Sequence, residues 1–231
     1  LLLQNKGFNV GARKENNYII QNGVDKNIFY PKRNNLKNKY DVKSDEILLF
    51  SPRAITPLYN IDIILESISM LKNKGYKIKC MFSFAFGNNY LSFLKTQIER
   101  LDINDNVIWL GYLDYEQMAE HYNTADIIIS IPSSDSSPKS VYEAMFCKKP
   151  VIVSDLEWTY EILDNLNCFC RVGVRDSLDL FESIKTLIND KEIYNKISNN
   201  GFKNVKKYFD YEKNMKKMEN IMFDYLNNNL S

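Results

Sequence analysis

One histidine, four cysteines and a net charge of +1 over 231 residues leave this chain with few reagents for metal, redox or polyanion chemistry. His121 has no second histidine to share a metal with and is given no functional role. Cys80, Cys147, Cys168 and Cys170 lack the spacing of zinc ligands and read as buried, reduced thiols, as in a cytosolic protein. Cys168 and Cys170 lie two apart in an apolar stretch and are expected to share one face of a strand. With 30 basic against 29 acidic side chains, no global field draws the chain to nucleic acid or to an anionic membrane, so nucleic-acid binding is disfavoured. No apolar run approaches the ~18 residues of a membrane span, and no repeat or low-complexity tract is found. The chain opens Leu1-Leu2-Leu3, with neither an initiator Met nor a signal peptide's charged start. We read it as a fragment of a longer polypeptide, with an upstream domain missing.

What is present suits one α/β domain: 45% apolar residues can supply a core, and 26% charge is ordinary for a soluble protein. Residues 1–21 lack sustained periodicity and read as a linker or remnant of the missing domain. Asn22-Gly23 is a turn signal. From about residue 44, apolar strands alternate with amphipathic helices. Strands are expected at 47–50, 78–82, 107–110, 127–131, 151–153 and roughly 168–172, near-continuous in Ile, Val, Leu and Phe as in a parallel sheet buried on both faces. One helix begins after Asn60, read as its N-cap, buries Ile61, Ile64, Leu65, Ile68 and Leu71, and stops at Gly75. Further helices are expected at 91–101, 116–123, 178–188 and 193–199, then a basic helix at 202–226 with a break near Asp210. The fold class is a Rossmann-like, doubly wound α/β sheet of about six strands, divided as a core at 22–208 and a C-terminal helix at 209–231.

The most informative stretch is 133–153. A strand runs into small polar residues around Asp135, a helix follows carrying Glu143, and a buried strand closes the unit. A helix N-terminus presents unpaired N–H groups and partial positive charge to an anion, while carboxylates take hydrogen bonds from sugar hydroxyls. The combination points to a nucleotide-sugar. Glu143 also fits a capping box with Ser140. Pro138 argues against that, since it suits the first helical turn, with Ser136 or Ser137 as cap and Glu143 in the second turn. Asp135 alone would also suit a turn. Lys139 and Ser140 would offer N–H groups to a phosphate, with the Lys139 ammonium free for the phosphate or for solvent. Arg53, just past a strand's carboxyl end, could bind a diphosphate bidentately. Tyr112 and Leu113, past another, lie either against a nucleobase or in the core.

From residue 17 onward these motifs, in order, resemble the C-terminal domain of retaining glycosyltransferases of family 4 (group 1), which have the two-domain GT-B fold. Tyr-Ile-Ile-Gln-Asn-Gly-Val-Asp at 18–25, with Phe29 and Pro31, resembles the interdomain segment. Asn106 to Gly111 and the Ala125-Asp126 to Pro132-Ser133 segment resemble two family strands. Asp135 and Glu143 match the Glu-x7-Glu signature with Asp first, and Glu143-Ala-Met-x-Cys-x-Lys-Pro-Val-Ile152 continues it. The resemblance implies a UDP- or GDP-sugar donor and no cofactor or essential metal, with the acceptor bound by the missing N-terminal domain. Glu143 would bond the ribose and Asp135 the transferred sugar. Arg53 and the amides near Lys139 and Ser140 would hold the diphosphate, with Ser136 and Ser137 in the loop. It implies retention of configuration by front-face attack, a role in polysaccharide or glycolipid assembly, and a cytoplasmic place with peripheral membrane contact in full length. Three departures stand out: the Gly-Arg-x5-Lys-Gly loop reads Pro52-Arg53-Ala-Ile-Thr-Pro-Leu-Tyr-Asn60 without the lysine, Ser136-Ser137-Pro138 replaces a Gly-rich run, and Lys148 replaces a Gly. A silent nucleotide-sugar-binding module and a GT-B-like epimerase are the alternatives.

Overall fold

The computed structural model describes residues 2–13, 17–21, 23–34, 36–83, 89–161, 163 and 166–229. Six strands, β1 (Ile47–Ser51), β2 (Ile78–Ser83), β3 (Val107–Gly111), β4 (Ile127–Ser130), β5 (Val151–Ser154) and β6 (Cys170–Val172), form one sheet in the order β3-β2-β1-β4-β5-β6. Every pairing is parallel. The helices are α1 (Leu2–Asn9), α2 (Leu36–Lys39), α3 (Ile61–Asn73), α4 (Asn89–Arg100), α5 (Tyr115–Thr124), α6 (Lys139–Phe146), α7 (Ser177–Asn189), α8 (Lys191–Tyr208) and α9 (Tyr211–Asn229).

The sheet divides two cores because successive strand side chains point to opposite faces. Leu48, Phe50, Ile128, Val151 and Val153 pack with α5 and α6. Leu49, Ile127, Ile129 and Ile152 pack with α3, α4 and α7. Both faces are covered, so the strands are apolar at nearly every position. The chain runs outward from β1 through β2 to β3, then returns to place β4 on the other side of β1. Adjacent loops leaving β1 and β4 therefore diverge and open a crevice at their carboxyl ends.

Several expectations are corrected. The last strand is only Cys170–Val172, so Cys168 precedes it and the alternation does not apply. Cys168 sits in the α6-side core, while Cys170 packs against the opposite one. The segments at 193–199 and the start of the basic helix are one continuous α8. Its Gly201 is not a breaker but a contact point: a Cβ there would meet Met145 Cγ at 3.1 Å and the Cys168 carbonyl at 3.2 Å. The break at Asp210 is present. Val24 pairs there with Asp210, whose Oδ1 accepts from the Lys213 N–H and starts α9. Residues 2–9 are helical rather than irregular. Asn22 lies outside the described residues, as do Leu1 and residues 14–16. Gly23 is required by proximity, since an added Cβ would stand 2.3 Å from Tyr211 Cα.

Asn60 precedes α3 in a left-handed conformation (φ 52°), but its side chain caps nothing in that helix. Fully buried, it instead donates to the Ile131 carbonyl at 2.8 Å, while its Oδ1 accepts from Ser133 Oγ and Arg175 Nη1. Asn60 thus ties the loop after β1 to the loops after β4 and β6. Lys148 also has positive φ, 59°, at the end of α6, where the Lys148 and Lys149 N–H groups turn back to the Met145 and Ala144 carbonyls.

Candidate functional site

Arg53 leaves β1 and Asp135 leaves β4, the two strands flanking the crevice. Arg53 Nη2 donates to Asp135 Oδ2 at 2.8 Å, and Nη1 donates to Ser140 Oγ at 2.8 Å. The guanidinium lies 4.2 Å from the centroid of the Tyr59 ring, which fixes its plane. The ion pair is mostly sheltered, with the two side chains 12% and 16% exposed, so it is screened far less than a surface pair. Asp135 Oδ1 accepts from the Ser136 N–H at 2.8 Å, so the carboxylate also shapes its own turn.

Glu143 is in the second turn of α6, beyond capping reach. Pro138 occupies the N-cap position rather than the first turn, and no side chain caps the helix; neither Ser136 nor Ser137 does so. A proline cannot cap through its side chain, and Ser140 Oγ is taken by Arg53. The capping box is therefore absent, and the first amides of α6 are left without a side-chain acceptor. Glu143 is buried and accepts from the Tyr122 hydroxyl at 3.1 Å. Burial pushes its pKa above the ordinary value, opposed by the Tyr122 bond and by the charges of Lys139 and Arg53. Lys139 Nζ stands 4.0 Å from Glu143 Oε1 and 4.8 Å from the Tyr115 ring centroid, and donates to the Tyr115 hydroxyl at 3.3 Å.

The structure thus brings Arg53, Asp135 and Ser140 into direct contact, with Ser136 beside them and Lys139 and Glu143 one turn along. Leu113 is half-buried and packs on the α5–α6 core, whereas Tyr112 is 76% exposed. Sequence reasoning missed Tyr59, Tyr115 and Tyr122. Tyr59 stands at the place of the absent loop lysine, and Tyr115 follows a capping box between Asp114 and Gln117, so both had a signal. Tyr122 lies 21 residues from Glu143 and had none. Asp135, Ser136 and Ser137 also border a cavity of about 550 Å³ on the side facing residues 17–21 and the loop after β5. Among the described residues no group of three or more His, Cys, Asp or Glu could hold a metal ion, and no helix is long and apolar enough to cross a membrane.

Comparison with known proteins places these features in a family context. Residues 32–204 match the family described as Glycosyl transferases group 1. Alpha-monoglucosyldiacylglycerol synthase of Streptococcus pneumoniae is 30% identical over 117 residues, which is 51% of this chain and 26% of that protein. A probable sucrose-phosphate synthase of Thermosipho melanesiensis is 23% identical over 213 residues, 90% of this chain and 48% of its own length. Among solved structures, Anabaena HepE in complex with UDP-glucose superposes with a TM-score of 0.84 at 19% identity, covering 96% of this chain and 61% of that one. The chain spans a quarter to about three fifths of these relatives.

Proposed function

The chain belongs to the group 1 glycosyltransferases, and from that premise we propose that it is the donor-binding half of a retaining transferase. It would move a sugar from a UDP- or GDP-sugar to a glycan or lipid-linked acceptor. The observation that carries the reading is the Arg53–Asp135–Ser140 contact at the point where the sheet reverses, beside the uncapped start of α6. An anion there meets a guanidinium, free backbone amides and the Lys139 ammonium together. HepE was solved with UDP-glucose, which supports UDP over GDP.

In this reading the diphosphate draws Arg53 away from Asp135, and the freed carboxylate takes a hydroxyl of the sugar to be transferred. Glu143, held by Tyr122, accepts from the ribose hydroxyls. The acceptor oxygen bonds to the anomeric carbon on the face the diphosphate leaves, and its proton passes to a departing phosphate oxygen. Catalysis is orientation and charge stabilisation, with no nucleophile from this half. The other half of a two-domain fold would complete the acceptor site. The buried free thiols of Cys80, Cys147 and Cys168 support a cytoplasmic setting, and a peripheral membrane contact of the full-length protein belongs to the same reading.

Tyr59 in place of a lysine leaves the diphosphate one cation short, which favours a second reading: a module that binds nucleotide-sugars without turning them over. Calorimetric titration with UDP, GDP and their glucose conjugates tests the binding common to both. We expect dissociation constants below millimolar, weakened by Arg53→Ala roughly tenfold or more, as for one lost charge-assisted contact of about 1.5–3 kcal/mol. No binding of any of these ligands below millimolar would end the donor-site assignment. Donor binding with no donor consumption in the presence of any acceptor would favour the silent module.

A further inference from the structure

We infer that Asp135 sets the preference of this site for the intact nucleotide-sugar over the spent nucleotide, by exchanging Arg53 for a sugar hydroxyl. The inference rests on the donor-site reading and deepens it, because it gives the acid a part in product release as well as in binding. Arg53 is already engaged: Nη2 donates to Asp135 Oδ2 and Nη1 to Ser140 Oγ, and the guanidinium lies over the Tyr59 ring. With the side chain 12% exposed, little of the fork is open to a ligand. The other nearby cation, Lys139, has its Nζ 4.0 Å from Glu143 Oε1. An incoming diphosphate therefore has to take Arg53 from Asp135 rather than find it free. Separating a sheltered pair is costly, since the carboxylate keeps its desolvation penalty and loses its cation.

What replaces Arg53 on the carboxylate differs between the two ligands. The sugar of the intact donor carries hydroxyls, which can donate to the vacated Asp135 Oδ2. A spent nucleoside diphosphate brings only phosphate oxygens, which accept rather than donate and carry like charge. Asp135 then retains the Ser136 N–H on Oδ1 and has no new donor for Oδ2. That 2.8 Å bond also keeps the carboxylate from turning away, so it stays within reach of Arg53 and competes with the diphosphate for it. The intact donor thus recovers through its sugar what breaking the pair costs. The product does not, and re-formation of the pair after the sugar has left favours nucleotide release.

The test is a double-mutant cycle read by calorimetry on the parent, Asp135→Asn, Arg53→Ala and the double variant. The ligands are UDP, GDP, UDP-glucose, UDP-galactose and GDP-mannose. Asparagine keeps an acceptor for the Ser136 N–H while removing the charge; melting curves check each fold, and Asp135→Ser replaces a variant that does not fold. We expect Asp135→Asn to bind the nucleotide that the parent binds roughly threefold or more tighter, as for removal of one competing ion pair. Its preference for the sugar conjugate over that nucleotide should fall several-fold. On the Arg53→Ala background the same substitution should tighten nucleotide binding much less, because no pair remains to be broken. Unchanged or weaker nucleotide binding by a folded Asp135 variant would overturn the inference. Equal tightening in both backgrounds would also overturn it, since that is repulsion by a nearby acid rather than exchange of Arg53. So would a parent that binds every conjugate no better than its nucleotide. A parent that binds neither nucleotides nor conjugates would refute the donor reading itself, and this inference with it.

Discussion

At the residue scale, two buried titratable groups pull stability in opposite directions with pH. Glu143 is raised by burial, so the folded chain holds its proton more tightly than the unfolded chain. Its contribution is favourable at low pH and is lost as pH rises above the ordinary value of 4.5. His121 is lowered by burial. Its Nδ1 donates to the Gln117 carbonyl, and in the neutral ring that burial favours, Nε2 accepts from the Tyr40 hydroxyl. Its contribution is present above 6.5 and is lost as pH falls through that value. Glu143→Gln should therefore gain in melting temperature over the parent as pH climbs from about 4 to about 7, while UDP affinity falls. A parallel pair of melting curves would contradict the burial argument. Lys148 offers a separate residue-scale test. It occupies a left-handed conformation that costs a side chain about 1 kcal/mol relative to glycine, so Lys148→Gly should raise unfolding free energy by about that much in a denaturant titration.

At the scale of elements, the site depends on joints that hold loops from distant strands. Asn60 links the turns after β1, β4 and β6, and the Val24–Asp210 bridge pins the chain's early segment to the start of α9. Tyr142 stacks on Phe209 at 3.8 Å, tying α6 to the same joint. Gly23→Ala would force a Cβ against the Tyr211 backbone and prise that joint apart. Limited proteolysis should then cut near residues 20–24 and 209–211 sooner than in the parent, whereas unchanged cleavage would deny the joint its role. The strand positions were readable to within a residue or two because burial on both faces leaves a continuous apolar signal. The cap of α6 was misread because Ser136, Ser137 and Ser140 are all competent caps, and only Arg53, 87 residues away, decides that Ser140 is otherwise engaged.

At the scale of the whole molecule, stability is concentrated in the sheet. Leu48, Leu49, Phe50, Ile128 and Ile129 are fully buried, while Met218, Met222, Phe223 and Tyr225 of α9 are exposed. Amide exchange should accordingly be slowest in β1 and β4 and much faster across the second half of α9, since exchange follows local burial. Equal protection of α9 and β1 would show the helix to be held by contacts absent from this chain alone. Family membership accounts for the fold.

By itself the sequence determined the alternation of buried strands and amphipathic helices, the parallel sheet and the acid pair, because each rests on patterns a few residues long. The strand order, the engagement of Arg53 by Asp135 and Ser140 and the Tyr122 support of Glu143 were decided by tertiary structure. Each of these joins groups tens of residues apart, and side-chain spacing along a chain carries no information about which distant partner will satisfy a buried charge.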